Sequence, residues 1–304
     1  MRCFSLFSGI GGFDLALQNQ GHEIVGACEI DRYARQVYSR HFPGVPIWED
    51  ATKIWVDELP EFDLLCAGFP CQAFSTAGRR LGFEESRGTL FYEIARIAKQ
   101  KRPRIIFLEN VRGLLHHDEG RTLTTIIKTF YELGYDIEWQ VINSKHWLPQ
   151  NRERIFIIGH LRDKPTRKIF PLGEINQVDA GTPKEAQEQG KRIRSQISGA
   201  IDANYAKGGG SRTMVIMVGH QKQNGRKVND YAFSLTTRQE QILVNDNKVR
   251  MFTPLECERL QGFPDGWTEG LADKNRYTCL GNAVSVPIVE YIVSHFTNKA
   301  ERKV

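Results

Sequence analysis

The chain has 304 residues, 40% of them apolar, and a formal charge of +5, which excludes a fibrous or disordered chain and leaves room for a sizeable core. No stretch approaches the roughly 20 uninterrupted apolar residues that span a bilayer, and MRCFSLFSGIGG at the N-terminus lacks the ordered regions of a signal peptide. The expected location is therefore the cytoplasm, with no membrane partner.

In chain order, CFSLFS at 3–8 is a short apolar run that ends in GIGG and is followed by a helical pattern through Phe13, Leu15, Ala16 and Leu17. HEIVGACEID reads as a second strand ending at Glu29 and Asp31, and FDLLCAGFP as another that ends in the loop carrying Cys71. A helix through TLFYEIARIAKQ leads to the strand RIIFLENV. RTLTTIIKTFYELG is a further helix, and IEWQVINS and RIFIIGHL are two more strands. Strands alternating with helices predict a parallel α/β sheet. From Leu161 to Arg250 the chain changes texture, with polar and glycine-rich runs such as NYAKGGGSR and HQKQNGRK. That segment holds 16 Lys and Arg against 9 Asp and Glu, a net +7, while the rest of the chain is at −2. The positive excess is local, which predicts a second domain there and a polyanionic partner.

The six cysteines, Cys3, Cys28, Cys66, Cys71, Cys257 and Cys279, form no C-x-x-C pair. Reduced core residues are expected rather than a disulfide frame, and no metal site. Cys71 alone follows a proline inside an apolar loop, AGFPCQAFS, where Pro70 restricts the backbone.

Ligands of such a sheet bind beyond the carboxyl ends of its strands, so the polar residues there are read together. FSGIGG permits close backbone approach at a helix N-terminus, and Glu29 sits where an acid can bind ribose hydroxyls. A nicotinamide dinucleotide is one candidate, although Asp14 stands where the third glycine of its fingerprint would fall. S-adenosylmethionine suits the turn equally well, with Phe7 over its adenine and Asp50 at its ring amine. Glu109 ends an apolar strand, and Arg152 and Arg154 in QNRER are spaced to share one strand face. A thiol, an acid and forked cationic donors together suit addition at carbon 6 of a pyrimidine, which makes carbon 5 nucleophilic toward an electrophilic methyl.

At these residues the chain resembles the cytosine-5 DNA methyltransferases of bacterial and phage type. FSGIGG is similar to the family's donor motif, GFPCQAFS to its nucleophile loop, ENV to its acid motif and QNRER to its paired-arginine motif. RMFTPLECERLQGFP and GNAVSVP resemble its last two motifs, in the same order, and FSLTTR its Thr-Leu element with Ser234 in place of threonine.

The resemblance implies a Rossmann-like, S-adenosylmethionine-dependent methyltransferase sheet with helices on both faces, plus a smaller target-recognition domain. The catalytic domain is expected to be discontinuous, 1–160 with 276–304, around a recognition domain at 161–275. Cys71 is implied as nucleophile, Glu109 as the acid at nitrogen 3, and Arg154 as the holder of the cytosine carbonyl with Arg152 close by. The donor set implied is Phe7, Gly9, Gly11, Glu29, Ile30, Asp50, Gly68, Pro70, Leu90, Asn282 and Val284.

The substrate implied is a cytosine rotated out of double-stranded DNA, acted on by a monomer, with a cognate restriction endonuclease as companion. A tRNA-directed methyltransferase and a catalytically inactive DNA-binding member share most motifs. The long basic segment favours duplex DNA over the first, and the intact Cys71, Glu109 and arginines argue against the second.

Overall fold

The computed structural model describes residues 1–69, 90–164, 166–172 and 252–296, and the backbone of short strands between 214 and 251. Pro70, Cys71 and most of the basic segment, Ser234 included, lie outside the described residues.

The described chain divides into two compact units, one of 1–142, 153–173 and 289–304 and one of 143–152 and 174–288. The strip with Arg152 thus falls in the second unit, and the C-terminal return comes at 289 where 276 was expected. The physical reason for the later return is the packing around Gln261, whose amide binds the 280–283 backbone and whose carbonyl accepts from Ser285.

The first unit is built on a seven-stranded sheet. Its strands are β1 (Arg2–Leu6), β2 (Glu23–Cys28), β3 (Ile47–Trp48), β4 (Leu64–Gly68), β5 (Ile105–Val111), β6 (Tyr135–Asn143) and, after a two-residue strand β7 (Gln150–Asn151) of the second unit, β8 (Glu153–Leu161). The order is β3-β2-β1-β4-β5-β8-β6. β3 through β5 pair in parallel, as expected, whereas β8 runs antiparallel to β5.

The central strands are apolar nearly throughout because both faces are covered. On one face Phe107 of β5 meets Phe13 of α1 (Gly12–Asn19) edge-on at 5.1 Å, and Phe296, beyond α7 (Val286–Val293), at 5.5 Å. On the other, Ile106 and Leu108 join a buried cluster with Phe91, Ile94 and Ile97 of α3 (Leu90–Lys101) and Ile126 and Phe130 of α4 (Arg121–Glu132). Glu290 of α7 accepts a hydrogen bond from Asn19 of α1, which fastens the C-terminal segment beside the helix that follows β1.

The second unit contains a four-stranded sheet, β10-β9-β12-β13, from β9 (Met214–Met217), β10 (Lys227–Asn229), β12 (Gln241–Asn245) and β13 (Lys248–Met251). β11 (Ala232–Phe233) pairs with β7. Two helices follow, α5 (Pro254–Gln261) and α6 (Asp273–Asn282). α5 begins at a reciprocal cap between Thr253 and Glu256 with proline at its first turn, a strong helix start. Glu258, fully buried, accepts from the amides of Gly266 and Thr268, the Thr268 hydroxyl and the Arg276 guanidinium at 3.0 Å. A buried carboxylate needs that many donors.

Candidate active site

Strand register builds the centre of the site. Arg154 lies opposite Val111 across the β5–β8 ladder. Side chains alternate along a strand, so Arg154 shares a face with Glu109, its diagonal neighbour. The Arg154 guanidinium Nε stands 3.0 Å from Glu109 Oε1, both side chains largely buried. This is an ion pair without the alignment of a hydrogen bond, because Oε1 carries none. On the other flank Gly68 of β4 pairs with Glu109, and a methyl added to it would sit 3.6 Å from Oε2. Glycine keeps that side of the carboxylate open.

Asn110, buried beside Glu109, donates from Nδ2 to the Phe69 carbonyl at 2.8 Å, and its own Oδ1 accepts from the Val111 amide. Phe69 packs against Phe91 with ring centroids 5.9 Å apart. The residue before Pro70 and the first turn of α3 are therefore held together, next to the acid. Asn110 was not singled out in the sequence, although it sits inside the ENV run; its place after Glu109 at a buried strand end was the available signal. Leu90 opens α3.

None of the five described cysteines forms a disulfide, and all are buried. Burial pushes the thiols of Cys3, Cys28 and Cys257 up to about 12, and also raises that of Cys66 well above its ordinary value. They stay protonated and unreactive.

At the donor motif the chain leaves β1 through two left-handed residues, of which Phe7 is strained and Gly9 is not. Phe7 and Gly9 both have φ of 55°, and Gly11 at 85° caps α1. A Cβ on Gly11 would meet the Phe42 ring at 2.3 Å, whereas one on Gly9 would meet nothing within 4 Å. Glu29 Oε2 accepts the Gly9 amide and Oε1 the Asp31 amide, each at 2.8 Å. Burial raises the Glu29 pKa, opposed by those two amides. Arg35 ties the following carbonyls, those of Glu29 and Ile30. Ile30 itself is 72% exposed, an apolar side chain left open at the surface. Asp50 takes the Thr52 hydroxyl and amide, which hold its carboxyl below the usual range.

An open glycine, an acid anchored on two loop amides and an exposed isoleucine make a cradle that fits an adenosyl group. Behind it, Asp14 of α1 is wholly buried and accepts from the Tyr38 hydroxyl at 3.0 Å; burial raises its pKa to about 7.

Arg152 does not share the Arg154 environment. The backbone at 152 interrupts the strand between β7 and β8. Its guanidinium, in the second unit, donates to the carbonyls of Ala283 at 2.9 Å and Gly281 at 3.5 Å. Those residues flank Asn282, and Val284 follows, largely buried. Among the described residues no cluster of three or more His, Cys, Asp or Glu is fit to hold a metal.

A family model described as C-5 cytosine-specific DNA methylase matches residues 1–298. The Type II methyltransferase M.HpaII of Haemophilus parainfluenzae is 36% identical over 94% of this chain and 86% of its own length. M.HhaI of Haemophilus parahaemolyticus is 34% identical over 96% and 93%. In fold the chain is similar to the crystal structure of the S. pombe Dnmt2 methyltransferase, with a TM-score of 0.68, 22% identity and 97% of each chain covered.

Proposed function

The chain belongs to the C-5 cytosine-specific DNA methylase family, and from that premise we propose how its residues divide the work of a DNA (cytosine-5)-methyltransferase that uses S-adenosyl-L-methionine. When bound, that donor supplies an electrophilic methyl group. Phe7, Gly9, Gly11, Glu29, Ile30 and Asp50 hold it in the cradle after β1 and β2; Gly68, Pro70, Leu90, Asn282 and Val284 are assigned to it by the family motifs.

The target cytosine leaves the duplex stack to be reached. The Cys71 thiolate adds to carbon 6, forming a C–S bond, while Glu109 shares a proton with ring nitrogen 3 and Arg154 donates to the carbonyl oxygen. Carbon 5 becomes an enamine carbon and takes the methyl, whose bond to the donor's sulfonium sulfur would break with the electron pair left on that sulfur. Loss of the carbon 5 proton then expels the thiolate and restores the ring. The observation that carries this reading is the Glu109–Arg154 ion pair at the end of β5, beside Gly68 at the end of β4. A fixed guanidinium there gives the acid a partner and the base a forked donor.

The second unit, with the basic segment, reads the DNA sequence. The relatives' Type II designation supports a cognate endonuclease acting on the same site. Monomeric action in the cytoplasm is part of the same reading; no helix among the described residues is long and apolar enough to cross a membrane. DNA carrying 5-fluorocytosine tests the chemistry, because fluorine blocks the final elimination. A stable covalent adduct with the wild type, absent for Cys71→Ser, is expected. An adduct that forms equally with Cys71→Ser would overturn the assignment.

A further inference from the structure

Helix α6 ends at Asn282, and the last carbonyls of any helix lack partners within it. Here two side chains of the second unit supply them. Arg152, 3% exposed, donates to Ala283 O at 2.9 Å and, more weakly, from both terminal nitrogens to Gly281 O at 3.5 Å. Gln261 Nε2 donates to Leu280 O at 3.0 Å and Ala283 O at 3.4 Å, and Gln261 is itself fixed by the Ser285 hydroxyl at 2.9 Å. A cation at a helix C-terminus is favourable, and a planar fork reaches two carbonyls where a lysine reaches one.

We propose that Arg152, together with Gln261, is a donor-side positioning residue that holds the turn carrying Asn282 and Val284 in shape, and is not a second contact to the cytosine. The inference rests on the reading of Asn282 and Val284 as donor contacts. It divides the QNRER run by role: Arg154 serves the base and Arg152 the donor.

Calorimetric titration of S-adenosylhomocysteine into the full chain tests it, with Arg152→Lys, Gln261→Met, Asn282→Ala and Arg154→Lys beside the wild type. Loss of the guanidinium fork's hydrogen bonds predicts an approximately tenfold weaker affinity for Arg152→Lys, and loss of the neutral amide hydrogen bonds a weakening of up to about tenfold for Gln261→Met. In turnover both should raise KM for the donor with kcat nearly kept, and leave duplex affinity within about twofold. Arg154→Lys should keep donor affinity and lose kcat.

Unchanged donor affinity in Arg152→Lys, with kcat lost instead, would place Arg152 at the base and overturn the proposal. If Asn282→Ala also binds the ligand normally, the donor assignment itself fails; if Asn282→Ala is weak while Arg152→Lys and Gln261→Met are normal, only the clamp fails. Should Arg152→Lys not fold, Gln261→Met reads the same turn. Hydrogen exchange of the wild type adds a measurement that needs no variant, since ligand should slow exchange at 280–285, and no slowing there would count against the inference.

Discussion

At Glu109, replacing the carboxylate by an amide separates shape from proton. Glu109→Gln keeps the size of the side chain beside Gly68 but has no acidic proton to transfer to the ring nitrogen, so turnover should fall by ~10²–10⁴. Donor affinity should be unchanged by calorimetry; a collapse of donor binding instead would move Glu109 out of the base site. Asp14 offers a second test at the same scale. Its folded pKa of about 7 stands above the ordinary 3.8 because of burial, so the folded state holds a proton that the unfolded chain releases. Stability from this group is full below about pH 4 and is lost as pH rises toward 7, at up to about 1.4 kcal/mol per unit. Asp14→Asn should remove that slope from denaturant midpoints measured between pH 5 and 8, and a slope that survives would mean another group carries it. Neither the Asp14–Tyr38 pair nor the partners of Arg152 could be read from the sequence, because each depends on which distant segments meet. The place of Glu29 directly after β2, by contrast, was legible, since the apolar run ends at Cys28.

Among the elements, the parallel strands and their helices followed from alternating apolar runs and 3.6-residue periods. The reversed direction of β8 did not, because an apolar strand buried on both faces has the same composition whichever way it runs. The break at Arg152 escaped for a related reason: QNRERIF looks like one continuous strand, and only the local pairing of β7 with β11 and of β8 with β5 divides it. The end of α5 is set by a glycine. Gly262 closes α5 with φ of 80°, and a Cβ there would lie 2.4 Å from Cδ and 2.7 Å from Cγ of Pro287. Gly262→Ala therefore combines left-handed strain with a clash against a rigid ring, roughly 2–4 kcal/mol in all. Urea unfolding should show that loss. A change below ~1 kcal/mol would mean the 286–288 segment yields easily.

For the whole molecule the decisive quantity is where charge lies. The segment from Leu161 to Arg250 is at +7 and the remainder at −2, so attraction to DNA is concentrated in the stretch assigned to recognition. Phosphates draw Lys and Arg without regard to sequence, whereas base edges in the major groove are read by a few forked or amide side chains. Lys222 and Lys227 represent the first class; Gln221, Gln223, Asn224, Gln239 and Gln241 are candidates for the second. Replacing Lys222 or Lys227 by alanine should weaken binding to every duplex alike. It should also flatten the plot of log affinity against log salt by about one unit, since one fewer phosphate is neutralised. Replacing a base reader should leave the salt slope alone and relax the methylated site at one position by ~1–3 kcal/mol. Methylome sequencing of cells expressing each variant, beside salt titrations of the purified proteins, separates the two outcomes. Unchanged specificity across all variants of the segment would mean that the bases are read elsewhere in the chain.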